Sequence, residues 1–147
     1  MADFCFNVGL GQAYKMTLLD ATKFGILLLA TTGLESDAVL KDLDTLTALV
    51  AGATNEATNT GYARKTGLTV TPTLDDTNNR VDLDIPDQTW SAVANDGTGA
   101  ISKLVVFYEV AAADGTRVPL TCHDFAVTPD GSDIVAQVAA AGFFRAS

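Results

Sequence analysis

Two stretches of alternating apolar and polar residues, separated by a run of turn-forming residues, constrain the fold of this chain most. In Thr69–Leu74 and in Val81–Ile85 every second side chain is apolar, which is the period of a β-strand. The residues between them include two Asp and two Asn, whose short side chains hydrogen-bond to the backbone in turns. The pattern predicts a β-hairpin with a loop of more than two residues.

The same alternation assigns the hairpin residues to two faces. The side chains expected to face the core are those of Val70, Leu74, Val81, Leu83 and Ile85. Pro72 cannot donate a hydrogen bond to a neighbouring strand, so we expect its strand to lie at an edge or to carry a bulge. Asp82 and Asp84 are expected on the solvent face, where like charges discourage pairing with a foreign chain.

Further strands are predicted from short apolar runs between turn signals. They are Phe4–Val8, Phe24–Ala30, Gln88–Val93, Ile101–Val110, Arg117–Leu120 and Asp124–Thr128. Phe24–Ala30 is apolar throughout, which is typical of a strand buried on both faces, although a buried helix shows the same run. Ile101–Val110 is rich in β-branched and aromatic residues and is expected at the centre of a sheet. Ala13–Leu19 fits neither template, so a strand and a short helix both stay open.

Two helices are predicted. The first begins at Ser36 or Asp37, which are good capping residues, and ends before Gly52. Its apolar stripe at helical spacing consists of Val39, Leu43, Leu46 and Val50, widened by Leu40 and Leu49. The second is a short helix of small residues over Ile134–Ala141, ended by Gly142.

These elements together predict a mainly β fold. Strands that recur about every 8–12 residues with turns between them are typical of a sandwich or barrel. We expect a single domain spanning residues 1–147, an antiparallel β-sandwich of jelly-roll type with one amphipathic helix and one short carboxy-terminal helix. At 48% hydrophobic residues, a chain of 147 residues can fill one core.

Charge and hydropathy exclude some classes of function. Nine Lys and Arg stand against eighteen Asp and Glu, a net charge of −9. This balance argues against nucleic-acid binding and against docking on an anionic membrane surface. The longest apolar run, Phe24–Ala30, is far short of the roughly 20 residues that span a bilayer. Residues 1–12 lack a basic start and an apolar block, so we expect no secretory signal.

The chain has two cysteines and one histidine that could carry chemistry. Cys5 and Cys122 are expected to be free thiols in a reducing cytoplasm, with a bridge as the alternative. His123 lies between Cys122 and Asp124, but adjacent side chains of a strand point to opposite faces and cannot form a nucleophile–base pair. An approach of Cys5 to His123 through the fold is the remaining arrangement that would indicate an enzyme. Two Cys and one His lack the spacing of a structural zinc site.

The acidic hairpin loop has the oxygen-rich composition of a calcium site. Asp75, Asp76, Asn78 and Asn79 supply oxygen ligands, with Asp82 and Asp84 nearby. The spacing differs from that of the helix–loop–helix calcium motif, and a hydrogen-bonded turn explains the same residues. The sequence therefore predicts no metal, no cofactor and no catalytic residues.

Aromatic residues near both ends suggest contacts with other subunits. We predict a protein interface formed by Phe4, Phe6, Phe143, Phe144 and Arg145. End segments are poorly ordered unless they dock on something. These segments either complete the domain's own sheets or reach a neighbouring subunit.

Five segments resemble small virion proteins of tailed bacteriophages. They are GLESDAVLKDLDTLTALVAG, TGYARKTGLTV, DDTNNRVDLDIPDQTW, GTGAISKLVVFYE and HDFAVTPDGSDIVAQVAAAGFFRAS. Comparable small β-rich virion proteins are head decoration, or cement, proteins, which bind at junctions between capsid subunits. The resemblance implies a non-enzymatic protein on the capsid surface, assembled in the host cytoplasm, which binds the major capsid protein as a dimer or trimer.

Other functions stay open. The resemblance is also compatible with a tail, baseplate or head–tail joining protein. A β-sandwich that binds carbohydrate is a further alternative, with Trp90, Tyr62 and Tyr108 as an aromatic platform for sugar. A small hydrolase is the reading that the sequence favours least.

Overall fold

The computed structural model describes residues 2–9 and 13–146, and within these residues the chain forms three antiparallel sheets and three α-helices. The strands are β1 (Phe4–Cys5), β2 (Phe24–Ala30), β3 (Lys65–Leu68), β4 (Thr71–Asp75), β5 (Arg80–Asp84), β6 (Gln88–Trp90), β7 (Ile101–Glu109), β8 (Arg117–Val127), β9 (Ile134–Ala136) and β10 (Phe144–Ala146). The helices are α1 (Ala13–Asp20), α2 (Asp37–Leu40) and α3 (Leu46–Leu49), and a 3-10 helix covers Asn7–Gly9. The predicted mainly β, single-domain fold is confirmed; the jelly-roll topology stays a prediction.

A five-stranded sheet in the order β1-β8-β7-β2-β3 forms the middle of the molecule. Every residue of β2 is buried, which confirms the prediction of a strand covered on both faces. β7 lies between β8 and β2, so its predicted central position is also confirmed. Leu28 lies opposite Leu104 and Val105 lies opposite Cys122, and this register brings apolar side chains together on both faces.

Each face of the central sheet carries its own core. One face packs against the three-stranded sheet β10-β5-β4, the β6–β9 pair and α1, in a cluster that includes Phe24, Ile26, Leu83 and Trp90. The other face packs against α2 and α3, in a cluster that includes Leu46 and Phe107. Alternate residues of β2 and β7 enter the two clusters, as a period of two requires.

The predicted hairpin is formed by β4 and β5. Its last pair joins Asp75 to Arg80, which leaves a four-residue loop over 76–79 and confirms a loop of more than two residues. Asn79 has φ 51°, the left-handed conformation that Asn tolerates in turns. Pro72 lies on β4, an edge strand of its sheet, as predicted.

For two hairpin residues the predicted solvent exposure is wrong. Leu74 is exposed rather than buried, because β4 is an edge strand and alternation alone does not ensure that an edge is covered. Asp82 is almost buried rather than solvent-facing, because β10 pairs with β5 and brings Arg145 over it. The other predicted core side chains are buried or partly buried: Val70, Val81, Leu83 and Ile85.

The predicted long helix from Ser36 or Asp37 to the residue before Gly52 is wrong. It is two single turns, α2 and α3, and Ser36 makes no side-chain cap hydrogen bond. In a continuous helix the Lys41 carbonyl would accept from the N–H four residues later, but here it accepts from the Asn7 N–H at 2.9 Å. Thr45 then starts α3, since its side chain accepts from the Ala48 N–H at 3.1 Å. Contact with the amino-terminal segment therefore divides the helix.

The predicted short helix over Ile134–Ala141 is also wrong. Its first three residues form β9, in which Ile134 lies opposite Trp90. Ile134 and Ala136 are buried while Val135 is exposed, which is the alternation of a strand. Ala-rich segments fit either structure, and here pairing with β6 decides between them.

The remaining differences concern where strands end. Arg117–Leu120 and Asp124–Thr128 are not separate strands, since both lie in the eleven-residue β8, which ends at Val127. Ala13–Leu19, left open between strand and helix, is helical. The strand predicted over Gln88–Val93 ends at Trp90, because Ala92 adopts φ 52°.

Candidate functional site

A cavity of about 590 Å³ lies between the central sheet and the carboxy-terminal segment. Its apolar wall includes Ile26, Leu104 and Val106 of the central sheet, and Phe143 and Phe144 lie on the other side. This volume and a mostly apolar lining with a few polar groups are typical of pockets for small ligands. We call this cavity the C-terminal groove.

A chain of polar contacts lies at one end of the C-terminal groove. His123 Nδ1 lies 3.2 Å from Asp3 Oδ2, and His123 Nε2 lies 2.9 Å from Thr121 Oγ1. Asp3 Oδ1 also accepts from the Asp124 N–H at 2.7 Å. Burial disfavours the charge of Asp3, but the Asp124 N–H and the His123 ring outweigh it and lower the pKa of that carboxyl.

The order carboxylate, imidazole, hydroxyl is that of a nucleophilic triad. Thr121 is almost fully buried, which restricts the approach of an acyl substrate to its hydroxyl. Asp3 and Thr121 come from the amino-terminal segment and β8, so the same contacts hold residue 3 against the sheet. We assign the chain of contacts to this anchoring.

Both cysteines are free thiols, as predicted. Cys5 Sγ donates to the Leu120 carbonyl at 3.1 Å, and burial raises its pKa. Burial raises the pKa of Cys122 to about 12. Cys5 and His123 both line the C-terminal groove, but the ring nitrogens contact Asp3 and Thr121. The arrangement that would indicate a thiol enzyme is therefore not formed.

The five predicted interface residues do not share one surface. Phe4, Phe143, Phe144 and Arg145 line the C-terminal groove. Phe6 is fully buried in the core beneath α2 and α3 and has no surface to offer a partner. β1 pairs with β8 and β10 pairs with β5. Of the two alternatives for the end segments, the structure shows the one in which they complete the domain's own sheets.

The acidic hairpin loop is a hydrogen-bonded turn. The Asp75 carboxylate accepts from the backbone N–H of Asn78 at 3.1 Å and from its side-chain amide at 2.7 Å. These bonds lower the pKa of Asp75, and the bond from the Asn78 side chain has the largest effect. Across residues 2–9 and 13–146, no group of three or more His, Cys, Asp or Glu side chains is arranged to hold a metal ion.

The aromatic residues considered as a sugar platform are structural. Trp90 is nearly buried and its Nε1 donates to the Ala63 carbonyl at 2.7 Å. The Tyr62 hydroxyl donates to Glu56 at 2.8 Å and accepts from the Leu28 N–H at 3.1 Å. Tyr108 is also buried. Trp90 and Tyr108 have no open face for stacking on a sugar, so the predicted platform of three rings is wrong.

Large apolar side chains are exposed on two elements that pack beside each other, α1 and β4. Leu18 and Leu19 of α1 are 68% and 69% exposed, and Leu74 of β4 is 65% exposed. We call these three residues the leucine surface. Sequence reasoning placed Leu74 in the core and gave the other two no role.

Sequence reasoning also missed Lys103. This side chain is fully buried although it carries a charge, and its Nζ contacts Asp37 and Asp124. A signal was present, because a lysine inside a strand predicted to be central must either be paired or be functional.

Comparison of the chain with protein-family models, curated proteins and solved structures gave no significant match in any of the three. No helix in the described part of the chain is long and apolar enough to span a bilayer.

Proposed function

We propose that this protein is a non-enzymatic decoration protein of a bacteriophage head, which binds the assembled shell and stabilises junctions between capsid subunits. The resemblance of five sequence segments to small virion proteins suggests the setting. The observation that carries the docking role is the leucine surface. The expected partner is the major capsid protein, bound by a dimer or trimer of this chain.

The leucine surface favours a protein partner on energetic grounds. α1 buries Ala13, Met16 and Thr17 but directs Leu18 and Leu19 to solvent. Burying a leucine side chain is favourable by about 1.5–3 kcal/mol. A partner that covers the leucine surface therefore gains several such contributions without any change in this domain.

Both ends of the described chain are fixed, which suits docking as a rigid body. β1 and β10 are paired within the domain, and Asp3 is held by β8. Binding by ordered segments avoids the free-energy cost of ordering them at the interface. A protein that binds the assembled shell but not its separated subunits stabilises the shell by mass action.

Charge favours the same partner class. The net charge of −9 is complementary to a shell surface with basic patches. Such complementarity chiefly raises the association rate and orients the encounter, and it weakens with ionic strength. Binding to shells is therefore expected to slow as salt is added.

The test uses assembled heads that lack this protein. Binding is measured by co-sedimentation of purified protein with the heads, for the natural sequence and for Leu18→Ser with Leu19→Ser. We expect the natural protein to bind in many copies per particle and the double variant to lose most of its binding. Val39→Ser is the matched control, since Val39 is an exposed apolar residue on α2, at the other layer.

The outcomes separate the alternatives. No binding of the natural protein to heads would refute the proposal. A few copies per particle, located by reconstruction at the tail, baseplate or head–tail joint, would favour those positions instead. Equal loss of binding in the double variant and the Val39→Ser control would show that the leucine surface is not the docking site.

A further inference from the structure

Lys103 lies in an enclosed site between the central sheet and α2. It is the third residue of β7 and is fully buried. Its Nζ lies 5.2 Å from the centre of the Phe4 ring and 3.5 Å from the Ala2 carbonyl oxygen. The amino-terminal segment thus helps to enclose this amine. The Lys103 amine has no part in the proposed binding to heads.

Two carboxylates contact this amine, and their contact geometries differ. Nζ donates to Asp124 Oδ1 at 2.8 Å. Asp37 Oδ1 lies 3.1 Å from Nζ, but this oxygen is buried and accepts no hydrogen bond. The Asp37 carboxylate therefore forms an ion pair with the amine without the geometry of a hydrogen bond.

The backbone fixes all three groups. Lys103 and Asp124 are directly opposite in the β7–β8 register. Asp37 is the first residue of α2, whose Leu40 is packed in the core on this face of the sheet. Reactive groups held in contact by a folded scaffold behave as if at very high effective concentration. An amine and a carboxyl that condense very slowly in water can thus react here.

We propose that Lys103 and Asp37 condense to an intramolecular amide bond, with Asp124 as the group that accepts and relays the proton. The lone pair of Nζ attacks Cγ of Asp37, a bond forms between these atoms, and one Cγ–O bond breaks. The ammonium gives up two protons, which leave with the departing oxygen as water. An ammonium and a carboxylate become one neutral amide and one water, so no oxidant or other reactant is needed.

The role of Asp124 follows from the charge of the amine. Desolvation lowers the pKa of Lys103, but the hydrogen bond to Asp124 and the negative charge of Asp37 outweigh it and raise the pKa. The amine must therefore lose a proton to a neighbour before it can attack. Asp124 is hydrogen-bonded to Nζ, and its side chain is 39% exposed against 24% for Asp37. It is the better placed of the two to exchange that proton with water.

The product removes a costly feature of the fold. A fully buried ammonium has a large desolvation penalty, and an amide has no charge to desolvate. The bond also ties α2 to the central strand. A covalent link between distant positions restricts the unfolded chain and so favours the folded state. This inference does not depend on the proposed binding to heads.

The first test is the intact mass of the purified natural protein in denaturant. We expect a mass lower than that of the sequence by one water molecule. Lys103→Arg and Asp37→Ala are each expected to restore the full mass, and Asp124→Ala to slow the loss of water. Lys41→Arg is the matched control, because Lys41 also lies over the Phe4 ring, at 5.3 Å, but is exposed. It should keep the lower mass.

Peptide mapping identifies the bond. Trypsin cannot cut after an acylated lysine, so we expect residues 24–41 joined to residues 81–117. Cyclisation at Asp-Gly pairs also removes one water, but it leaves the cut after Lys103 intact. The full sequence mass, or normal cleavage after Lys103, would overturn the proposal. A linked peptide containing residues 118–145 would overturn it too, since the bond would then be to Asp124.

Discussion

Arg145 and Asp82 lie directly opposite each other on β10 and β5, and Arg145 Nε donates to Asp82 Oδ1 at 2.6 Å. Arg80 Nε lies 3.3 Å from the other oxygen of Asp82 and 3.1 Å from Asp75. The carboxy-terminal strand is thus held to the hairpin by its ladder and by an ion-pair cluster. Detaching β10 would remove Arg145 from Asp82 and open one side of the C-terminal groove.

This pairing predicts that β10 loosens in acid. The Arg145 side chain, more than any other group, lowers the pKa of Asp82 from its ordinary 3.8. A lowered folded-state pKa contributes stability that is present above the unfolded value and lost as pH falls through the folded one. We expect amide exchange of 144–146, corrected for intrinsic rates, to accelerate below about pH 4.

Two substitutions check this prediction. Asp82→Asn should make β10 exchange faster at neutral pH and remove most of the acceleration in acid. Asp84→Asn is the matched control, since Asp84 is on the same strand but lies opposite Thr71. An acid response that persists unchanged in Asp82→Asn would contradict the assignment.

Gly25→Ala is expected to destabilise the fold by about 1–3 kcal/mol through overpacking. A Cβ at Gly25 would lie 2.3 Å from Phe107 Cζ and 2.6 Å from the Lys65 carbonyl oxygen. The ring can move only by disturbing the core beneath α3, and the carbonyl belongs to the paired strand β3. Gly115→Ala is the control, because its nearest neighbour would be Thr47 Oγ1 at 3.8 Å. Urea unfolding curves of both variants measure the loss of stability. Equal midpoints for the two variants would contradict the steric argument.

Asn59→Leu is expected to cost at least about 2 kcal/mol of unfolding free energy. The Asn59 amide is buried and donates to three carbonyls, those of Ala94, Asp96 and Gly99, at 2.9–3.0 Å. Leucine has a similar size but cannot donate, so the Ala94 and Gly99 carbonyls lose this donor and the Asp96 carbonyl keeps only the Gly99 N–H. Asn55→Leu removes a similar amide from an exposed position and should cost less. Thermal unfolding followed by circular dichroism measures both, and a larger loss for Asn55→Leu would contradict the prediction.

The two thiols are expected to react very differently. At neutral pH a small thiol reagent should label Cys5 slowly and Cys122 only after unfolding, because Cys122 is fully buried and its pKa is raised to about 12. A raised thiol pKa stabilises the fold below the ordinary value of 9.0, and this contribution is lost as pH rises toward the folded value. In the Cys5→Ser variant Cys122 is the only thiol, so its labelling can be measured by itself. Rapid labelling of that variant in the folded state would show that the core opens readily.

Patterns that are local in sequence predicted two central strands and the hairpin correctly. β2 and β7 were identified because an apolar or β-branched run of strand length has few alternatives. The hairpin was identified because its turn residues and its alternation agree. Free thiols were also expected from the sequence, and the pKa of each is raised by burial.

The errors arose where a distant segment decides local structure. The residues between α2 and α3 have the apolar spacing of a helix, but the Asn7 N–H takes the carbonyl that would continue it. Residues 134–136 form a strand because β6 offers them a partner. Asp82 is covered because a strand sixty-odd residues later pairs with β5.

By itself the sequence determined that this chain is a mainly β protein with a buried central sheet, because side-chain period and turn chemistry act over a few neighbouring residues. Only the tertiary structure decided which carboxylates meet Lys103, which end segments close the C-terminal groove, and which leucines stay exposed. Those outcomes depend on the packing of elements far apart in the chain. The spacing of apolar side chains along the sequence does not determine that packing.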